Sequence, residues 1–224
     1  MSEGLQAAWA IVRKDVMAEL RTKETLSTML IFVLLALVIF NFAFDLRVDN
    51  VRQIAPGVLW VAFVFAGVLG LNRSFVLETD KGCLDGLLMT PVDRSVIYFG
   101  KMAGNTIFML VVEAIGLPVF SVLFNLMLVR LDIILIVLLG TLGFAGVGTL
   151  FSAMTANTRA REVLLPILLF PVVLPAILAA VKATAGLLDG QPLGEMTNWL
   201  GLLIAFDIIF IAVAYMTFDF VVES

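Results

Sequence analysis

Histidine is absent from this 224-residue sequence, and cysteine occurs once, at Cys83. Without histidine the chain has no imidazole metal ligand and no imidazole general base, and a single cysteine cannot form an intrachain disulfide. Charge is also scarce, because Asp, Glu, Lys and Arg make up 14% of the residues and the net charge is −4. Such a chain lacks the basic surface that nucleic acid requires. We expect this chain to bind no cofactor, no metal and no nucleic acid.

Catalytic motifs are missing as well. The sequence contains no Gly-x-x-x-x-Gly-Lys-[Ser/Thr] phosphate-binding element and no clustered carboxylates, and a Ser/His/Asp set is impossible without histidine. The chain is therefore predicted to have no catalytic residues. The chain therefore does not bind ATP through such an element, and it is either a permease powered by something else or a structural membrane subunit.

Apolar residues, by contrast, make up 62% of the chain, and the mean hydropathy is +1.10. A soluble domain is about half apolar and about a quarter charged, so lipid must be the solvent for much of this surface. Six continuous apolar stretches reach the roughly 20 residues that a helix needs to cross a bilayer. They are 26–44, 54–71, 102–129, 133–156, 163–181 and 199–218. The sequence predicts an all-α integral membrane protein with a bundle of six transmembrane helices.

The basic residues are unevenly placed around these six spans. Ten of the 14 Lys and Arg residues fall on one side of the membrane and four on the other. Since Lys and Arg favour short cytoplasmic loops, both termini are predicted to be cytoplasmic. The predicted division is an N-terminal segment at 1–25, a six-helix domain at 26–218 and a tail at 219–224. The large cytoplasmic loop is 72–101, between the second and third spans.

The N-terminal segment is too charged to cross a bilayer, yet its apolar residues follow a helical pattern. Within an arc of about 80° on a helix lie Leu5, Trp9, Val12, Val16 and Leu20. This pattern predicts a helix lying flat in the cytoplasmic headgroup region, with Trp9 at the interface. An ordinary lead-in helix packed on the bundle is the alternative, and both place the segment at the membrane surface.

The loop at 72–101 carries a short apolar ridge next to charged residues. The residues singled out as a partner-docking or coupling element are Phe75, Glu78, Asp80, Lys81, Gly82, Cys83, Leu84, Leu87 and Leu88. Leu84, Leu87 and Leu88 would form one face of a short amphipathic helix that docks into a partner's groove. The alternative is a solvated connection whose leucines dip into the interface.

Several residues inside the spans are unusual for lipid. Glu113 and Asp207 are acids, and an ionised carboxylate at mid-bilayer is costly. Each is therefore either part of a polar lining for a cargo route, or a protonated acid hydrogen-bonded to a neighbouring helix. Small residues recur every fourth position in the second and fourth spans, which favours close helix packing within the bundle or between subunits. Three prolines in the fifth span predict a kinked or broken helix.

The order of these features resembles the CcmB family. The resemblance rests on Lys14-Asp15, on the run Glu19-Leu20-Arg21-Thr22-Lys23-Glu24, and on Ile54-Ala55-Pro56-Gly57-Val58-Leu59-Trp60-Val61-Ala62 at the start of the second span. The family's loop signature is close to Phe-x-x-Asp-x-x-Asp-Gly-Ser-Leu. Phe75, Gly82 and Leu84 match it, Glu78 and Cys83 are conservative replacements, and Lys81 reverses the second acid's charge one position after Asp80.

This resemblance implies the membrane (permease) subunit of a haem exporter in cytochrome c maturation, with the six-helix ABC-2 type architecture. The implied partners are an ABC ATPase subunit that binds ATP on the cytoplasmic face, a second copy of the chain, a haem-handling membrane subunit, a periplasmic haem chaperone and membrane lipid. Haem would be the cargo of the complex. The alternatives are an ABC-2 type permease for another amphiphile, such as a lipid, polysaccharide or drug, and a non-transporting membrane scaffold.

The asymmetry of the basic residues leads to a topology prediction. Reporter fusions at Asn50, Leu131 and Gly190 should give periplasmic signals, and fusions at Asp85, Asn157 and the C-terminus should give cytoplasmic signals. Paired alkaline phosphatase and fluorescent protein fusions measure both outcomes. A periplasmic signal at Asp85 would contradict the six-span topology.

Overall fold

A computed structural model of the chain describes residues 3–45, 51–75, 93–156, 158 and 160–223. The long elements in these ranges are all α-helices, and no strand occurs in them. They are α1 Glu3–Thr22, α2 Glu24–Asp45, α3 Val51–Ser74, α4 Arg94–Leu123, α5 Leu131–Thr155, α6 Arg161–Leu188 and α7 Thr197–Glu223, with a 3-10 turn at Leu193–Met196. Helices α2 to α7 are the six that are long and apolar enough to cross a membrane. The predicted all-α six-span fold is confirmed.

The third span differs most from its predicted bounds of 102–129. Helix α4 begins at Arg94, where the carboxylate of Asp93 accepts a hydrogen bond from Ser95 N at 3.1 Å and so caps the helix. It ends at Leu123, because Asn125 adopts a left-handed φ of 51° that a helix cannot continue through. The predicted span begins at 102 because Lys101 is charged, and a lysine usually marks the end of an apolar membrane span.

Helix α6 runs through all three of its prolines without a break. The sequence predicts a kink or a break here, and the break is wrong, because Pro166, Pro171 and Pro175 lie inside the continuous helix Arg161–Leu188. A break within the hydrocarbon region would leave backbone polar groups without partners or water, which costs several kcal/mol for each group. Packing against α3, α5 and α7 keeps the segment helical.

Helices α3 and α5 form the centre of the bundle. The apolar windows of α3 and α5 are 67% and 72% buried, whereas those of α2 and α7 are 17% and 22% buried. At their contact the indole of Trp60 lies directly over Gly140, where a Cβ atom would collide with the ring. Ala62 and Ala145, from the rows of small residues, are buried in the same core. These small residues therefore serve packing inside the bundle.

Hydroxyl, amide and indole groups connect the helices within this core. Ser152 Oγ donates to Leu71 O at 2.6 Å, and Asn105 Nδ2 donates to Thr149 Oγ1 at 2.9 Å. Trp60 Nε1 donates to Thr184 Oγ1 at 3.1 Å. Such bonds between membrane helices contribute about 0.6 kcal/mol each on average. Their main effect is to fix which faces of α3, α4, α5 and α6 meet.

Both ends of the chain lie at the same end of the bundle. Arg94 Nη1, at the start of α4, donates to Asp219 O near the end of α7 at 3.4 Å, and α1 packs along α4. We call this the loop end, because α3 leads out of it into the connection to α4. An even number of crossings follows from this arrangement. Its cytoplasmic location remains a prediction.

The contact between Trp60 and Gly140 leads to a stability prediction. Gly140→Leu should lower the free energy of unfolding by about 1–3 kcal/mol, because the rigid indole cannot move aside in a packed core. Gly201→Leu is the matched control, since nothing lies within 4 Å of a Cβ at Gly201. Thermal unfolding of both variants in the same detergent measures the difference. Equal unfolding temperatures for the two variants would contradict the proposed packing.

Candidate coupling site

Most of the predicted coupling loop lies outside the described residues. Phe75 is described and is fully buried at the end of α3. The other residues predicted for the element lie outside the described ranges: Glu78, Asp80, Lys81, Gly82, Cys83, Leu84, Leu87 and Leu88. The structure does describe the two points where this segment joins the bundle, at Phe75 and at Asp93.

Lys101 connects three elements at the loop end. The sequence pattern places it in the loop at 72–101. In the structure it lies instead in the second turn of α4, with a relative exposure of 2%. Its ammonium nitrogen lies 3.0 Å from Asp15 Oδ2 on α1 and donates to Ser74 O at the end of α3, also at 3.0 Å. The same nitrogen lies 5.3 Å from the centroid of the Phe75 ring. A carboxylate, a carbonyl and an aromatic face thus surround one buried cation.

The approach of α1 to α4 makes this arrangement possible. Ile11 and Val12 are buried, and a Cβ at Gly100 would lie 2.9 Å from Ile11 Cβ. Glycine at position 100 therefore lets the two helices come close enough for Asp15 to reach Lys101. Asp15 also pairs with Lys14, at 3.2 Å. Helix α1 is held on α4 by apolar packing around Ile11 and by the ion pair between Asp15 and Lys101.

The predicted interfacial face of α1 is divided between two environments. Val12 is buried, whereas Trp9 is 63% exposed and Leu5 and Leu20 are exposed with it. Since α1 packs on α4 through Ile11 and Val12, the row containing Trp9 is left for the surroundings of the bundle. Contact of Trp9 with lipid headgroups remains a prediction.

Glu19 fixes the elbow between α1 and the first span. Lys23 has a left-handed φ of 55°, which ends α1 and lets α2 start at Glu24 in a new direction. Glu19 is buried, and its Oε1 accepts a hydrogen bond from Leu26 N at 2.8 Å, so it satisfies an amide of the first turn of α2. Sequence reasoning missed Asp15 and Glu19. Their spacing of four residues beside Ile11 and Val12 was the available signal, since it places them near the buried face.

The two acids inside the spans have different surroundings. Thr141 Oγ1 on α5 donates to the carboxyl group of Glu113, at 2.7 Å from Oε1 and 2.9 Å from Oε2. Asp207 is 5% exposed, and neither carboxyl oxygen has a hydrogen-bond partner among the described residues. Gly143 leaves room for the Asp207 carboxyl group against α5. Neither acid lies near the Lys101 junction, and within the described ranges no three His, Cys, Asp or Glu side chains come together to hold a metal ion.

Six apolar helices, a centre of small residues and a charged junction at one end define a multi-pass α-helical membrane protein. The chain belongs to the CcmB protein family, whose model matches residues 6–223. The resemblance drawn from the sequence is thereby confirmed.

Curated relatives cover most of the chain. Heme exporter protein B of Rhodobacter capsulatus is 27% identical over 172 residues, which is 75% of this chain and 78% of that protein. The protein of the same name from Pseudomonas aeruginosa is 23% identical over 186 residues, 83% of each chain. The one from Escherichia coli K12 is 26% identical over 200 residues, 88% of this chain and 90% of that protein.

The Lys101 junction leads to a prediction about charge pairing. Lys101→Met leaves the Asp15 carboxylate and Ser74 O without their main partner, and it should destabilise the protein by about 3–5 kcal/mol. The double variant Lys101→Met/Asp15→Leu removes both charges and should recover most of that loss. Arg73→Gln is the control, because the ion pair of Arg73 with Glu24 is exposed and should contribute about 1 kcal/mol or less. Thermal unfolding in detergent measures all three. Equal losses in the single and double variants would show that the charge pair does not fix α1.

Proposed function

We propose that this chain is the membrane subunit of an ABC-type haem export system that delivers haem for cytochrome c maturation. The observation that carries this proposal is the CcmB family match along residues 6–223 of a six-span chain. The curated relatives share the printed name Heme exporter protein B. The sequence has no phosphate-binding loop, so we assign ATP hydrolysis to a partner subunit.

The Lys101 junction supports the loop end as the place where that partner acts. The segment between Phe75 and Asp93 begins at Phe75, whose ring lies beside Lys101, and it leads into α4, the helix whose Lys101 contacts Asp15 of α1 and Ser74 of α3. A displacement of this segment would therefore act on three helices together. We place the ATPase contact on its ridge of Leu84, Leu87 and Leu88, with the loop end and both termini in the cytoplasm.

The remaining assignments concern the surroundings of the bundle. We propose a bacterial inner membrane location, with 1–25 as an interfacial helix whose Trp9 contacts headgroups and 219–224 as a cytoplasmic tail. A second copy of the chain and a haem-handling membrane subunit would cover part of the apolar surface, and a periplasmic chaperone would receive haem. Asp207, buried without a partner among the described residues, remains a candidate for a polar lining of a cargo route or for a protonated acid.

Deletion of the gene tests the proposed function directly. The deletion strain should lose covalently bound haem in its c-type cytochromes while b-type cytochromes stay at normal levels, since the latter bind haem without covalent attachment. Haem staining of denatured membrane proteins, together with pyridine haemochrome spectra, measures both. A plasmid copy should restore the c-type cytochromes. Normal c-type cytochromes in the deletion strain would contradict the proposal.

A second experiment tests the assignment of the ridge. Leu84→Asp should remove the ATPase subunit from the complex in detergent while the chain stays inserted, because a docked leucine contributes about 1.5–3 kcal/mol. Lys81→Asp, which restores the charge usual in the family, should keep or strengthen the contact. Leu131→Asp is the control, since Leu131 is exposed and begins α5 at the opposite end of the bundle. Co-purification of the ATPase subunit is the measurement. Retention of the ATPase by Leu84→Asp would leave the ridge as a solvated connection.

A further inference from the structure

A cavity of about 730 Å³ lies between α2, α3 and α6 at the loop end of the bundle. Pockets of about 300–1,000 Å³ are the usual size for small-molecule ligands in proteins. The Lys101 junction lies in a neighbouring pocket, which shares Glu24 and Arg73 with this cavity.

The cavity changes character along its length. Its charged end is formed by the first residue of α2, the last turn of α3 and the first two residues of α6, which are Glu24, Arg73, Arg161 and Glu162. Three phenylalanine rings, those of Phe32, Phe65 and Phe170, lie eight or nine residues further into these helices. Because an α-helix rises about 1.5 Å per residue, the rings lie about 12 Å deeper in the bundle than the charged residues. The ring centroids of Phe32 and Phe65 are 6.3 Å apart, and those of Phe65 and Phe170 are 5.5 Å apart. A ligand that fills this space has one polar end and a broad apolar body.

The charged end is suited to carboxylates. Glu24 Oε2 accepts from Nη1 of Arg73 at 3.2 Å, and the guanidinium carries four further N–H donors. Arg161 is the first residue of α6, so the positive end of that helix dipole lies beside its guanidinium. Two guanidinium groups at one end can receive two carboxylates. Glu24 and Glu162 oppose them, which keeps binding weak enough for release, as a transported ligand requires.

No described residue lining the cavity is a histidine, cysteine, methionine or tyrosine. The cavity therefore offers arginines to the polar groups of a ligand and phenylalanine rings to its apolar faces. It offers none of the usual side-chain ligands to an iron atom.

We propose that this cavity binds a porphyrin dicarboxylate, with both carboxylates at Arg73 and Arg161 and the macrocycle against Phe65 and Phe170. The site accepts the porphyrin whether or not it holds a metal. This inference rests on the proposed function, because the relatives' name supplies haem as the cargo, and it assigns to this subunit a cargo site of its own.

Binding is tested with the full chain in lipid nanodiscs, against empty nanodiscs of the same lipid composition. The probes are haemin, metal-free protoporphyrin IX and protoporphyrin IX dimethyl ester, and the measurement is the excess porphyrin held by the loaded discs at dialysis equilibrium. Haemin and the metal-free porphyrin should bind with dissociation constants within about threefold of each other, since no iron ligand takes part. The dimethyl ester, which lacks the carboxylates, should show no excess.

Substitutions separate this site from general partition into the membrane. Arg73→Gln and Arg161→Gln should each weaken binding by about tenfold or more, which is the loss of one charge-assisted contact. Glu24→Gln should strengthen binding, because it releases Arg73 from its acidic partner. Phe170→Ala should weaken it. Arg130→Gln is the matched control, since Arg130 forms an exposed ion pair with Asp132 at the opposite end of the bundle.

Three results would overturn the inference: no excess over empty discs, equal retention of the dimethyl ester, or unchanged binding in both arginine variants with normal insertion. The deletion experiment reports on the proposed function separately. Absence of porphyrin binding together with lost cytochrome c maturation in the deletion strain would reject this site and leave the proposed function in place. Specific binding together with normal cytochrome c in the deletion strain would reject the proposed function instead.

Discussion

The contact between α3 and α5 depends on glycines of α5 that leave room for large side chains of α3. Lipid tails are as apolar as leucine, so membrane helices gain little from hiding apolar surface and associate through close packing and hydrogen bonds. Gly140 accepts the Trp60 indole, and Ser152 reaches Leu71 O at 2.6 Å because the two backbones are close. The remaining spans pack around this pair. A larger side chain at this contact would displace the helices that carry every other feature of the bundle.

The loop end is held together in a different way from this centre. There a small apolar cluster that includes Ile11 and Phe75 is joined by charged and polar contacts. These contacts are Lys101 with Asp15 and Ser74 O, Glu19 with Leu26 N, and Arg73 with Glu24. Charged contacts near a membrane surface can exchange partners with water, with a docking subunit or with an anionic ligand, whereas a packed glycine contact has no alternative partner. The loop end therefore provides both the Lys101 junction, which we assign to coupling, and the charged end of the cavity, which we assign to porphyrin binding. A packed centre and exchangeable charged contacts at the loop end suit a subunit whose movement is driven by a docked partner.

The absence of histidine has a consistent meaning across both proposals. A transport subunit that ligated haem iron would hold its cargo strongly, and release would then need additional energy. A cavity with arginines at one end and phenylalanines at the other binds the same molecule through weaker contacts. In the system that we propose, iron ligation falls to other components, and this chain contacts the porphyrin through its carboxylates and its ring faces.

The amino-acid sequence by itself determined the membrane class, the six spans, the family and the sites of its unusual acids, because composition and long apolar runs are local properties. It could not assign Lys101 to a helix, since a lysine is excluded from apolar surroundings unless a partner distant in sequence, here Asp15, neutralises it. The same limit hid Glu19, whose bond to Leu26 N depends on the elbow at Lys23. Phe32, Phe65 and Phe170 lie in three separate spans, and nothing in the sequence of any one span distinguishes them from its other apolar residues. Only the tertiary structure placed them in one cavity below Arg73 and Arg161, because which faces of helices meet is decided by packing between spans and not by the pattern within one.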